Sequence, residues 1–159
     1  MASANNNPVM NLSNLGEFEI EYKYTSTLEN RPVIKSSKDA YKIVKQLYDM
    51  KKIGLQEQVS VLYLNNNNTI IGSCNLSRGA LNGAVFDLRH ILASALKLMA
   101  TGVILSHNHP SGKMLASEQD KEITIKLKSA LEQCDIKLLD HIIISPFDEY
   151  LSLKDEGIF

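Results

Sequence analysis

The stretch VILSHNHPSGKMLASEQD, residues 103–120, decides how this chain folds and where its chemistry sits. It opens on VILS, a short apolar run of the kind that makes a strand buried on both faces of a sheet. His107 and His109 follow at the carboxyl end of that strand. In extended backbone, residues i and i+2 point to the same side, so both imidazoles face one point. Pro110 holds His109 in the extended region, because the residue before a proline is driven out of the helical one. PSG then turns the chain back. In α/β sheets, ligands collect at the carboxyl ends of strands, which is where this pattern places the two histidines.

Working outward, strands and helices alternate. DLRHILASALKLMATG reads as an amphipathic helix expected to end at Gly102. A second helix is expected from Ser117 to about Cys134, with Ile123, Leu127, Ala130, Leu131 and Cys134 as its apolar stripe. DIKLLDHIIIS reads as another buried strand and YLSL as a short last one. Upstream, residues 57–64 and 69–74 are β-rich runs joined by NNNN, and asparagine tolerates the left-handed backbone a hairpin turn needs. SSKDAYKIVKQLYDM opens with serines in cap position and carries Ala40, Ile43, Val44 and Leu47 at helical spacing. EFEIEYKY, residues 17–24, alternates as a strand with one wet face. Residues 1–16 are rich in Asn and Ser and read as a flexible lead-in, leaving 17–159 as one domain. The class is α/β, a three-layer α-β-α sandwich around a central mixed sheet.

Composition narrows the function. Of 159 residues 44% are hydrophobic, enough for a core, and no apolar run reaches the ~20 residues of a membrane span. The N-terminus lacks the basic-then-apolar pattern of a signal peptide, so cytoplasmic residence is expected. A net charge of −1 with dispersed lysines gives no basic patch, and direct nucleic-acid binding is expected to be weak or absent. Cys74 and Cys134 are the two cysteines and neither belongs to a CxxC pair, so they read as unpaired thiols and Cys134 as a core residue.

Asp120 has two readings. Ser117-x-x-Asp120 has the form of a capping box, with Asp120 reaching back to the Ser117 amide. Yet Asp120 also precedes Ile123 and Leu127 on the apolar stripe, and a carboxylate aimed at a core is costly unless paired or metal-bound. Two imidazoles and a carboxylate suit one zinc ion per chain, with the fourth tetrahedral position left for water. His107, His109 and Asp120 are therefore the expected metal ligands. Glu57 shares the parity of Val59 and Val61 and is the candidate general base, against the alternative of an ordinary exposed carboxylate at a strand end. His90 reads as a helix-surface residue, and His141 as a structural histidine that could lie near the site.

HNHPSG followed by SEQD resembles the JAMM signature of the JAB/MPN metalloproteases. LQEQVSVLYLN, GALNGAVFDLRHILASALKLMATGVILSHNHPSG and LLDHIIIS are similar to its bacterial RadC-like branch. The resemblance runs from about Ser36 to the C-terminus. It implies a JAB/MPN fold, similar to cytidine deaminases, with zinc on His107, His109 and Asp120. It further implies Glu57 as the base and Ser117 as a group that stabilises the oxyanion. Two departures stand out. The chain is expected to have no room for the helix-hairpin-helix module usual in RadC proteins, and DLRH replaces the branch's usual Pro-Arg-Glu.

The implied activity is that of a zinc-dependent metallohydrolase, a metallopeptidase or isopeptidase acting on a peptide or isopeptide. The alternative is a non-catalytic or accessory protein in DNA repair or mobile-element DNA processing. A deaminase is disfavoured, because its His-x-Glu and Pro-Cys-x-x-Cys are missing from these positions. The sequence leaves the oligomeric state open.

Overall fold

A computed structural model describes residues 30–78 and 87–159. The lead-in, the strand expected over 17–24 and the segment GALNGAVF lie outside those residues. The described elements are α1 (Ser37–Val44), a 3-10 turn (Lys45–Leu47), β1 (Gln58–Leu64), β2 (Ile70–Arg78), α2 (Leu88–Lys97), β3 (Gly102–Asn108), α3 (Glu118–Glu132), β4 (Lys137–Ile144) and β5 (Tyr150–Ser152). The five strands form one sheet in the order β2-β1-β3-β4-β5. β3 and β4 are parallel and the other neighbours antiparallel, so the sheet is mixed. The hairpin forms at the asparagine run, and Asn68 takes the left-handed conformation there (φ 55°).

Alternation along the central strands sorts the core into two faces. Val59, Val61 and Tyr63 of β1 join Val103 and Leu105 of β3 against Ile91 and Ala95 of α2 and Leu127 and Leu131 of α3. Leu62, Leu64 and Ile104 point the other way, onto Ala40 and Val44 of α1. The result is three layers: α1, the sheet, and α2 with α3. Ser36 caps α1 by accepting from the Asp39 amide. Asp87 caps α2 by accepting from the Arg89 amide and pairs with the Arg89 guanidinium, which gives DLRH its local role.

Three expectations need correction. Gly102 does not end α2. The helix stops at Lys97, Met99 takes the left-handed position (φ 51°), and Gly102 begins β3. Its missing side chain serves a close approach instead, since a Cβ there would lie 2.6 Å from Leu139 Cδ1. Leu139 is the extra residue of an irregularity in β4, for Val103 pairs with Leu138 while Ile104 pairs with Asp140. That inserted residue reverses the parity of β4 and brings His141 level with Leu105, on the α3 side of the sheet. The inward line of α3 is Asp120, Thr124, Leu127 and Leu131, with Ile123 and Ala130 only partly buried. Cys134 is exposed, because the helix ends at Glu132 and the stripe ends with it at Leu131.

Asn108, between the two histidines, alternates onto the opposite face and is fully buried. Its Oδ1 accepts from the Gln58 amide at 2.6 Å, and its Nδ2 donates to the carbonyls of Ile53 (2.6 Å) and Gln56 (3.1 Å). One side chain thus clamps the segment that carries Glu57 to the strand that carries the histidines. Asn108→Ala leaves those buried backbone groups unmatched and is expected to cost about 2–4 kcal/mol in urea unfolding. Glu122→Ala, on the exposed side of α3, should change stability by less than about 0.5 kcal/mol. Wild-type stability in Asn108→Ala would show that the clamp contributes nothing.

Candidate metal centre

The two histidines arrive on the same side as the strand pattern requires. His107 is buried in β3 opposite Val59. His109 continues the extended path, its amide donating to the Ile144 carbonyl at 3.0 Å. The chain then turns, with the Gly112 amide donating to the His109 carbonyl and Gly112 in the left-handed region (φ 77°). This turn brings the Lys113 carbonyl to His109 Nδ1 at 2.7 Å. Asp120 enters from the first turn of α3, 8% exposed, where the helix dipole favours a carboxylate.

Both readings of Asp120 hold at once. Its Oδ2 accepts from the Ser117 amide (2.7 Å) and hydroxyl (2.6 Å), while Ser117 Oγ accepts from the Asp120 amide, which completes a capping box. The same interactions aim Oδ1 at His107 Nε2, 3.1 Å away. His107 Nε2 and His109 Nε2 face each other at 3.0 Å, and His109 Nε2 lies 3.5 Å from Asp120 Oδ2. Tetrahedral ligands about 2.0–2.1 Å from a zinc ion stand roughly 3.3 Å apart. The two separations from His107 Nε2 are close to that length, and one ligand atom from each of His107, His109 and Asp120 lies within 4.8 Å of the others.

Proton accounting supports the same fit. His109 Nδ1–H must donate to the Lys113 carbonyl, so a neutral His109 presents its Nε2 lone pair to the cluster. Behind His107, the chain His107 Nδ1···His141 Nε2 (2.8 Å) and His141 Nδ1···Thr124 Oγ1 (2.6 Å) ends where Thr124 donates to the Asp120 carbonyl. A hydroxyl that donates there can only accept from His141. His141 Nε2 then accepts from His107 Nδ1–H, and His107 also turns its Nε2 lone pair inward. Two imidazole lone pairs and a carboxylate oxygen therefore converge on one point, a donor set that suits a cation. His107, His109 and Asp120 could hold a metal ion.

The carboxylate and its neighbouring imidazoles also shift one another's protonation. Burial pushes the Asp120 carboxyl up, but hydrogen bonds with His107, His109 and Ser117 together hold it well below the usual carboxylate range. His109 is raised above 6.5, chiefly by its hydrogen bond with Asp120. Burial, then the neighbouring His107, drive His141 well below 6.5, so it remains neutral.

Glu57 and Ser117 line the same cavity of about 300 Å³ as His107, His109 and Asp120. Glu57 lies one residue before β1 and lines the cavity, as Lys113 and Leu115 do. The structure thus brings all five candidate residues together, while His90 stays exposed on α2. Asn108 and Thr124 were not singled out from sequence, and His141, read as a structural histidine that could lie near the site, is hydrogen-bonded to His107 there. The available signal for the last was a histidine within the apolar run LLDHIIIS, and the inserted Leu139 is what turns it toward His107.

Comparison with known proteins agrees with this architecture. Residues 34–158 match the family model of the RadC-like JAB domain. A UPF0758 protein of Flavobacterium johnsoniae is 44% identical over 126 residues, covering 79% of this chain and 53% of its own length. UPF0758 proteins of Streptococcus sanguinis and Carboxydothermus hydrogenoformans are 37% and 39% identical. Those matches cover 81% and 86% of this chain, and 55% and 58% of the relatives. The chain spans about half the length of these curated relatives, whose name states no reaction. Among the described residues, no helix is long and apolar enough to cross a membrane. From its α/β sheet, its His-His-Asp cluster and a match over most of its length, the chain belongs to the RadC-like JAB domain family.

Proposed function

We propose that this protein is a zinc-dependent metallohydrolase that cuts an amide bond in a peptide or isopeptide substrate. The observation that carries the reading is the convergence of two imidazole lone pairs and Asp120 Oδ1 at the floor of a cavity that Glu57 also lines. Zinc, when bound, supplies the Lewis acidity that makes water nucleophilic near neutral pH and polarises a carbonyl. The chain's own groups supply the rest. Glu57 takes a proton from the attacking water on a carboxylate oxygen and returns it to the leaving nitrogen. Ser117 Oγ–H, which lines the same cavity and donates to Asp120 Oδ2 in the resting site, leaves that oxygen to the Ser117 amide and turns toward the oxygen that gains charge as the carbonyl becomes tetrahedral. The free thiols of Cys74 and Cys134 suit a reducing compartment, in keeping with a bacterial cytoplasmic enzyme.

The direct test is Glu57→Gln on zinc-loaded protein, screened against peptide and isopeptide libraries by mass spectrometry. Metal content should stay as in wild type while turnover falls by about 10²–10⁴-fold. Undiminished cleavage would remove Glu57 from the reaction.

A pH series tests the ligand chemistry. Zinc needs neutral His109, and Asp120 favours its protonated form, so zinc affinity should weaken as pH falls through the raised His109 pKa. The metal-free protein should show the opposite slope from this group. A raised folded pKa contributes stability that is present in full below the unfolded value of 6.5 and is lost as pH rises through the folded one. Thermal melts with and without zinc across this range measure both trends. A zinc-induced rise in Tm independent of pH would contradict His109 as a ligand.

A further inference from the structure

We infer that Thr124 and His141 are positioning residues that fix the tautomer of His107 and thereby set the metal affinity of the centre. The inference rests on the metal-centre reading above and extends it to groups that touch neither metal nor substrate.

The relay has one polarity. Thr124 Oγ1 carries a single hydrogen, and the Asp120 carbonyl 2.5 Å away can only accept it. Facing His141 Nδ1 at 2.6 Å, the same oxygen must accept. His141 therefore carries its hydrogen on Nδ1 and offers Nε2 to His107 Nδ1 at 2.8 Å. All three side chains are buried, at 0–2% exposure, so water cannot readily supply a substitute partner. With the polarity reversed, His107 would carry its hydrogen on Nε2, between Asp120 Oδ1 and His109 Nε2, where the cation belongs. The tautomer of a ligand histidine is set by the hydrogen bond its other nitrogen makes, and here that bond is dictated two residues away.

The geometry also joins two of the ligands. The relay begins on the backbone carbonyl of Asp120 and ends on the ring of His107. One turn of α3, from Asp120 to Thr124, thus presents the carboxylate and anchors the imidazole opposite it. Thr124 is a buried polar residue on the inward line of a helix whose next inward positions are leucines. Its hydroxyl serves this chain of bonds.

Thr124→Val keeps the side chain's shape and removes the hydroxyl, while Thr124→Ser keeps the hydroxyl. Zinc affinity is measured by competition with a chromophoric chelator on wild type and both variants. Folding is checked by urea unfolding of the metal-free proteins. Thr124→Val should bind zinc about 10–100-fold more weakly, and Thr124→Ser should restore affinity close to wild type. In ¹⁵N NMR of the metal-free proteins, His141 and His107 should be protonated on Nδ1 in wild type and in Thr124→Ser. Thr124→Val should lose that pattern. Wild-type affinity in a folded Thr124→Val protein, or weaker binding with unchanged tautomers, would overturn the relay. Wild type that takes up no zinc would overturn the metal centre itself. The two failures are told apart because a failed relay leaves wild-type zinc binding intact.

Discussion

Two imidazole nitrogens and a carboxylate oxygen held 3.0 and 3.1 Å apart repel one another unless something positive lies among them. That constraint organises the rest of this structure. Holding such an arrangement requires each ligand to be fixed from behind, and each is. Lys113 fixes His109, His141 fixes His107, and Ser117 fixes Asp120. None of these supports is itself at the point of convergence. The backing bonds spend one face of each ligand and leave the other directed at the cation position, the usual architecture of a binding centre.

The same few residues serve stability and site together. The Ser117–Asp120 capping box satisfies amides at the start of α3, as any helix start requires, and in doing so orients the carboxylate. β3 is two-sided in the same sense. Its α3-facing positions run from core residues to His107, and its other face ends in Asn108, which secures the approach to Glu57. The segment that carries Glu57 and the strand end that carries His107 are thus tied through one buried amide, over and above the pairing of β1 with β3.

What the sequence made legible follows from the range of the forces involved. The hairpin at the asparagine run, the buried strand before His107, the cap at Ser117 and the α/β class depend on local spacing, and the structure has them. The grouping of His107, His109 and Asp120 was readable for the same reason, since a strand end and the next helix start are neighbours in the chain. His141 was readable only as a structural histidine that could lie near the site, because its contacts with His107 and Thr124 depend on the register of β4 against β3. A single inserted residue, Leu139, reverses the alternation that a pattern reading assumes, and the glycine that admits it resembled a helix stop. Thr124 carries no such local signal, because a hydroxyl does not belong to an apolar stripe, although a buried hydroxyl with two partners is at home there. Cys134 fails for the opposite reason. The stripe was extended by period alone, past the point where the helix ends.

The central claim is that these three side chains bind one metal ion. Elemental analysis after zinc loading and dialysis against a weak chelator tests it most directly, on wild type, His109→Ala and Asp120→Asn. The account predicts about one zinc per chain in wild type and loss of the metal in both variants. Wild type that emerges empty would contradict it, leaving Asp120 as a helix cap and the two histidines as partners in a hydrogen-bond network alone.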